Sequence, residues 1–207
     1  MKIASTNIFL RIEERPGSAA CSSRRRALTA LPILGIFVHV KHAIAVESCP
    51  QLLRHVMPRL QDDAPQDLCE YAGRVLLVVN TASYCGYTPQ YEGLEKLHAR
   101  YASRGFSVLG FPSNDFNQEP KDNKTIAAFC FNTYGVKFPM FAKTSVTGPA
   151  ANPLFSEISR AAGQPPKWNF SKYLIDRDGR VVANFPSEVG PLDSRVTARI
   201  EQLLARR

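Results

Sequence analysis

The chain lacks the residue spacings that most often carry metal or dithiol chemistry. Its 207 residues hold four histidines, one tryptophan and five cysteines. His39, His42, His55 and His98 show no metal-ligand spacing with Cys, Asp or Glu, so a zinc site is not expected. Cys85 is followed by Gly86, Tyr87 and Thr88, which places a threonine where a Cys-x-x-Cys exchanger needs its second sulfur. That excludes a local dithiol mechanism and leaves a lone nucleophile whose partner sulfur, if any, lies elsewhere. No basic run interleaved with aromatics appears, and nucleic acid is not an expected partner. No internal repeat or low-complexity tract is present.

The formal net charge is +8, and seven Lys/Arg with two Glu in residues 1–45 supply +5 of it, leaving +3 for the rest. This leader has an order. Arg24-Arg25-Arg26 precedes the apolar run 27–38, and Ala43-Ile44-Ala45 offers the small residues a signal peptidase cuts after. The run is too short for a comfortable membrane span. Residues 1–45 therefore read as a cleaved signal peptide, with an uncleaved N-terminal anchor as the alternative. Export would place the mature chain in the periplasm.

Cysteine usage is compatible with an oxidising compartment. Cys49 and Cys69 flank a polar segment and could close a disulfide that pins an N-terminal arm over residues 46–72. Two unpaired thiols are the alternative. Cys130 lies between two phenylalanines, as a small buried hydrophobe would. Cys85 has a different setting. It follows the apolar run Val75–Thr81 and precedes a helix, where free N–H groups and the dipole favour thiolate over thiol. A reactive cysteine is expected there.

From Gly73 to the C-terminus, periodicity alternates between strand and helix. Strands are predicted at 75–81, 106–111, 172–175 and 181–185, with a short extended piece at 138–141. Helices are predicted at 89–101, 124–134, 153–161 and about 192–204. Asp176-Arg177-Asp178-Gly179 signals a hairpin turn between the last two strands. The order predicts an α/β domain over residues 73–207, with a central mixed sheet and helices on both faces, in a thioredoxin-like topology.

Four further stretches carry chemistry. VVNTASYCGYTPQY, LGFPSNDF with QEP, FCFNTYGVKFPMF and KWNFSKYLIDRDG follow one another between residues 78 and 179. In this order the chain closely resembles the glutathione peroxidase family, in its cysteine-containing, thioredoxin-dependent branch. The resemblance spans roughly Gly73 to Phe185. It implies a catalytic set of Cys85, Gln118, Trp168 and Asn169, in which neutral N–H donors hold the thiolate and then the departing peroxide oxygen. It further implies that Cys130 resolves the sulfenic acid formed on Cys85. The family commonly has two residues between the positions of Phe116 and Gln118, where this chain has Asn117 alone. Ser113 stands where a cysteine occurs in some members, so it cannot resolve.

The resemblance thus implies a peroxidase acting on hydrogen peroxide or organic hydroperoxides, recycled by a thioredoxin-like protein or glutathione. It needs neither metal nor organic cofactor. The short stretch Gly163 to Lys167 implies a monomer. The rival readings are a non-enzymatic relay that senses peroxide at Cys85 and passes the oxidation to a client, and an inactive binding module.

Overall fold

The computed structural model describes residues 49–206, and the leader 1–45 lies outside them. Six strands and four helices follow in order. They are β1 (Val56–Pro58), β2 (Pro65–Asp67), β3 (Val75–Thr81), α1 (Gln90–Tyr101), β4 (Phe106–Pro112), α2 (Asn123–Tyr134), α3 (Pro153–Ala162), β5 (Lys172–Ile175), β6 (Val181–Phe185) and α4 (Ser194–Ala205). The main sheet has the order β4-β3-β5-β6. β3 pairs parallel with β4 and antiparallel with β5, and β5 pairs antiparallel with β6. The mixed thioredoxin-like sheet expected from the sequence is therefore the one observed.

β3 is buried along its whole length because both faces of the sheet are covered. Its side chains alternate between two cores. Val75, Leu77 and Val79 join Tyr91, Leu94, Leu97 and Tyr101 of α1 and Val196, Ile200 and Leu203 of α4. Leu76 and Val78 point the other way, into Leu154, Phe155 and Ile158 of α3. Burying each such side chain contributes roughly 1.5–3 kcal/mol, so β3 is the anchor from which the loop bearing Cys85 projects. α2 is held less firmly. Only Ile126 and Cys130 are buried along its 12 residues, while Phe131 is 66 % exposed.

The segment ahead of β3 forms structure that periodicity did not reveal. β1 and β2 are three-residue strands in an antiparallel pair, too short to show an alternating pattern. Leu52, Leu53, Leu68 and Tyr71 pack into the α3-side core. Cys49 and Cys69 are joined in a disulfide, with Cα atoms 5.3 Å apart. Residues 138–142 stitch this segment to the sheet. Gly110 N–H donates to Pro139 O at 2.9 Å, Leu60 N–H to Met140 O at 3.0 Å, and Ala142 N–H to Pro58 O at 2.8 Å. The extended piece expected at 138–141 therefore covers the open edge of β4.

The hairpin turn lies where its sequence placed it. Asp176 Oδ1 accepts from the N–H groups of Asp178 and Arg180, and Gly179 adopts φ +79°. A Cβ on Gly179 would also lie 2.4 Å from Pro50 Cβ, so glycine is required twice over. The last helix begins at Ser194, two residues later than expected, because Asp193 caps it through the Arg195 N–H at 2.9 Å.

Candidate active site

Cys85 occupies the turn between β3 and α1 and is 6 % exposed. It lies just ahead of the first turn of α1, whose approach is built by hydrogen bonds from Thr88 N–H to Cys85 O, Gln90 N–H to Tyr87 O and Tyr91 N–H to Thr88 O. The Tyr87 N–H donates to Cys85 Sγ at 3.4 Å. Thr88, in the place of a second sulfur, has a mechanical role. Its Oγ1 accepts from the Cys85 N–H at 3.0 Å and donates to Ala82 O at 2.9 Å, closing the turn on itself.

A ring of polar contacts brings the other candidates to this turn. Gln118 O accepts from the Tyr84 N–H at 3.0 Å, next to Cys85 in the chain. Asn169 Nδ2 donates to Gln118 Oε1 at 2.9 Å. Ser187 Oγ donates to Asn169 O at 2.6 Å, and Gln90 of α1 donates to Ser187 O at 2.6 Å. Trp168 is tethered to the end of β3, where Asn80 Nδ2 donates to Trp168 O at 3.1 Å. Its ring packs on Phe116 with centroids 5.2 Å apart and remains 41 % exposed. Trp168, Tyr87, Lys167, Ser187 and Glu188 line a cleft of about 470 Å³.

The structure thus gathers Gln118, Trp168 and Asn169 around the Cys85 turn. Among the described residues, the Tyr87 amide is the one hydrogen-bond donor to the sulfur. Asn169 is fully buried, and its Oδ1 has no partner among the described residues. Rotating both carboxamides together would preserve the Gln118–Asn169 hydrogen bond and turn that unpartnered atom into an N–H donor.

The short loop before Gln118 has a conformational solution. Asn117 adopts φ +56°, and its N–H donates to Asn114 O at 2.9 Å, closing a tight turn. Asparagine tolerates this left-handed region better than most residues. Asn117 itself faces solvent, and Ser113 is buried beneath the loop.

Cys130 is 2 % exposed and shares one buried cluster with Cys85 and Tyr91. Burial pushes its thiol up to about 11. The Tyr91 hydroxyl lies beside this thiol and the Thr81 hydroxyl, yet neither contact has the geometry of a full hydrogen bond. Cys130, Phe131, Lys124, Ala127, Leu60 and Met140 line a second cleft of about 310 Å³.

Sequence reasoning missed several residues that build the site. Glu119 is buried and accepts from both the N–H and the hydroxyl of Ser83, two residues before Cys85. Burial drives its carboxyl up to about 7 against the pull of these hydrogen bonds. Asn80 receives and gives the bonds that hold residues 168–171. A polar residue inside the apolar run Val75–Thr81 was the available signal for Asn80, and Glu119 stands in the QEP motif without a role being assigned to it, whereas nothing local distinguished Ser187.

Fold and site together define a thioredoxin-like oxidoreductase with a single cysteine at the head of its first helix, a peroxidase by class. The glutathione peroxidase family model matches residues 54–159, about half of the chain, and the chain belongs to that family. The match begins ahead of Gly73, so the β1–β2 segment falls within the family region, and it ends before the fourth motif, which holds Trp168 and Asn169. The glutathione peroxidase homolog BsaA of Halalkalibacterium halodurans is 48 % identical over 151 residues, 70 % of this chain and 95 % of that protein. The hydroperoxy fatty acid reductase gpx1 of Synechocystis is 46 % identical over 154 residues, 69 % of this chain and 90 % of that one. The apo crystal structure of Trgpx superposes with a TM-score of 0.61 at 32 % identity, over 75 % of this chain and 96 % of that one.

Proposed function

We propose that the protein reduces hydrogen peroxide or organic hydroperoxides through Cys85 and resolves the product through Cys130. The observation that best supports this reading is the run of hydrogen bonds from Tyr84, beside Cys85, through Gln118 to Asn169, with Trp168 tethered to the end of β3. The name of the Synechocystis relative supports an organic hydroperoxide as one substrate.

In the first step the Cys85 thiolate attacks one peroxide oxygen. An S–O bond forms, the O–O bond breaks, and the other oxygen leaves with the electron pair. Neutral N–H donors lower the energy of that anion until it takes a proton. Cys85 is left as a sulfenic acid. In the second step the Cys130 sulfur attacks Cys85, an S–S bond forms, and hydroxide leaves with the thiol proton as water. A dithiol donor then returns both cysteines to thiols and becomes a disulfide itself. A protein of thioredoxin type suits a two-cysteine substrate, with glutathione as the second choice of reductant.

Cys130 where it sits is a poor nucleophile, because burial disfavours its thiolate. Local unwinding of α2 would release it to water and bring its ionisation back towards the ordinary range. The sparse burial of α2 supports a low cost for that opening. Closing the loop between residues 85 and 130 costs little more than closing a shorter one. The remaining constraint is that the Cα atoms come within about 7 Å.

We also propose that the protein works as a monomer after export, with the short stretch Gly163 to Lys167 as the support for the first and the order of residues 24–45 for the second. An uncleaved leader would hold it at the membrane instead.

Stopped-flow kinetics with hydrogen peroxide test the reading. Cys85→Ser should be inert. Cys130→Ser should react once and then fail to recycle with thioredoxin. Hydrogen exchange should show lost protection around Cys130 in the oxidised form. Full turnover by Cys85→Ser would refute the proposal.

A further inference from the structure

Lys172 begins β5, yet its side chain is fully buried. Among the described residues no carboxylate lies within ion-pair distance of it. Its Nζ donates instead to two main-chain carbonyls, Phe170 O at 2.6 Å and Pro186 O at 3.5 Å. A buried cation without a paired anion is costly, and an apolar side chain of the same length would fill the space without that cost. Burial draws the amino group down to about 7, with Glu188 opposing. Either charge state carries enough N–H groups for both carbonyls.

What the nitrogen holds is a strained turn. Phe170 adopts φ +63°, a region that bulky side chains avoid. Each carbonyl of this turn is taken. Trp168 O accepts from Asn80 Nδ2 and, at 2.9 Å, from Ser171 Oγ. Asn169 O accepts from Ser187 Oγ, and Phe170 O accepts from Lys172. The two side chains launched from the turn are Trp168 and Asn169. The second carbonyl under Lys172, that of Pro186, adjoins Ser187, which Gln90 ties to the helix below Cys85.

We propose that Lys172 is a positioning residue for peroxide reduction: its buried nitrogen clamps the left-handed turn at Phe170 and so fixes Trp168 and Asn169 relative to Cys85. This rests on the peroxidase reading above. Lys172 touches neither peroxide nor sulfur and acts through the two side chains it places.

Lys172→Met keeps the length and removes the donors. Two readouts apply to the full chain: the second-order rate constant for oxidation of Cys85 by hydrogen peroxide, and the emission and acrylamide quenching of Trp168, the single tryptophan. The expected result is a rate at least ~10-fold lower, since small misplacements of positioned groups are costly. A shifted Trp168 spectrum should accompany it, with far-UV circular dichroism unchanged. Lys172→Gln retains an N–H on a shorter chain and should recover part of the rate; it carries the comparison if Lys172→Met does not fold. A folded Lys172→Met within twofold of wild type, with Trp168 emission unmoved, would overturn the clamp. Wild type inert to peroxide would instead remove the peroxidase reading, and the Trp168 spectra would still decide whether Lys172 holds the turn.

Discussion

Neutralising Glu119 should change how stability depends on pH. In the folded protein its carboxyl is held up to about 7, against an ordinary value of 4.5, because burial disfavours the anion more than the Ser83 hydrogen bonds favour it. Below pH 4.5 the folded and unfolded chains both carry the proton. Between 4.5 and 7 the folded chain keeps a proton that the unfolded chain has released. Stability from this group is therefore fully present at the acid side and is lost as pH rises to about 7. Each pKa unit is worth ~1.4 kcal/mol, so the loss across this window is on the order of 3 kcal/mol. Glu119→Gln removes the titration. It keeps the Ser83 contacts, because the carboxamide oxygen can accept from the Ser83 N–H while its own N–H donates to the Ser83 hydroxyl oxygen. Other groups, including His98, whose half-buried ring is held below its ordinary value by desolvation, titrate alike in both proteins and cancel. Urea unfolding followed by Trp168 fluorescence between pH 5 and 8 measures the difference. Wild-type stability should fall relative to that of Glu119→Gln as pH rises. Parallel pH profiles would refute the assignment of a protonated, buried Glu119.

Two further perturbations probe the frame of the site. Replacing Cys49 and Cys69 together with serine opens a loop of 20 residues, and chain entropy puts the cost at about 3 kcal/mol. Thermal unfolding should drop by roughly 6–12 °C for a chain of this size, while single-turnover peroxide reduction stays unchanged. Thr88→Val strands the Cys85 N–H and the Ala82 carbonyl. It should cost about 2 kcal/mol in chemical denaturation and slow Cys85 oxidation; an unchanged midpoint and rate would show that the Thr88 bridge is dispensable.

Elements with a long apolar face were legible from sequence because burial on one side repeats at a fixed period. β3, β4 and the helices with three or more buried positions were all placed within two residues. β1 and β2 were not, since strands of three residues offer no repeat and their stability comes from the disulfide and from edge contacts far along the chain. The site divides in the same way. Cys85, Gln118, Trp168 and Asn169 lie in motifs that can be matched by eye. Glu119 and Lys172 stand in the same motifs, but they and Ser187 hold their places through contacts with residues 36, 14 and 18 positions away, and no local pattern encodes those roles. Phe170 is the sharpest case: an aromatic residue between Asn169 and Ser171 gives no hint of a left-handed backbone.

Peptide mapping after oxidation tests the central claim most directly. One equivalent of hydrogen peroxide added to protein carrying the intact Cys49–Cys69 bond should form one new disulfide. The cross-linked peptide should join Cys85 to Cys130. Recovery of both thiols unmodified, or oxidation at Cys130 with Cys85 untouched, would contradict the account.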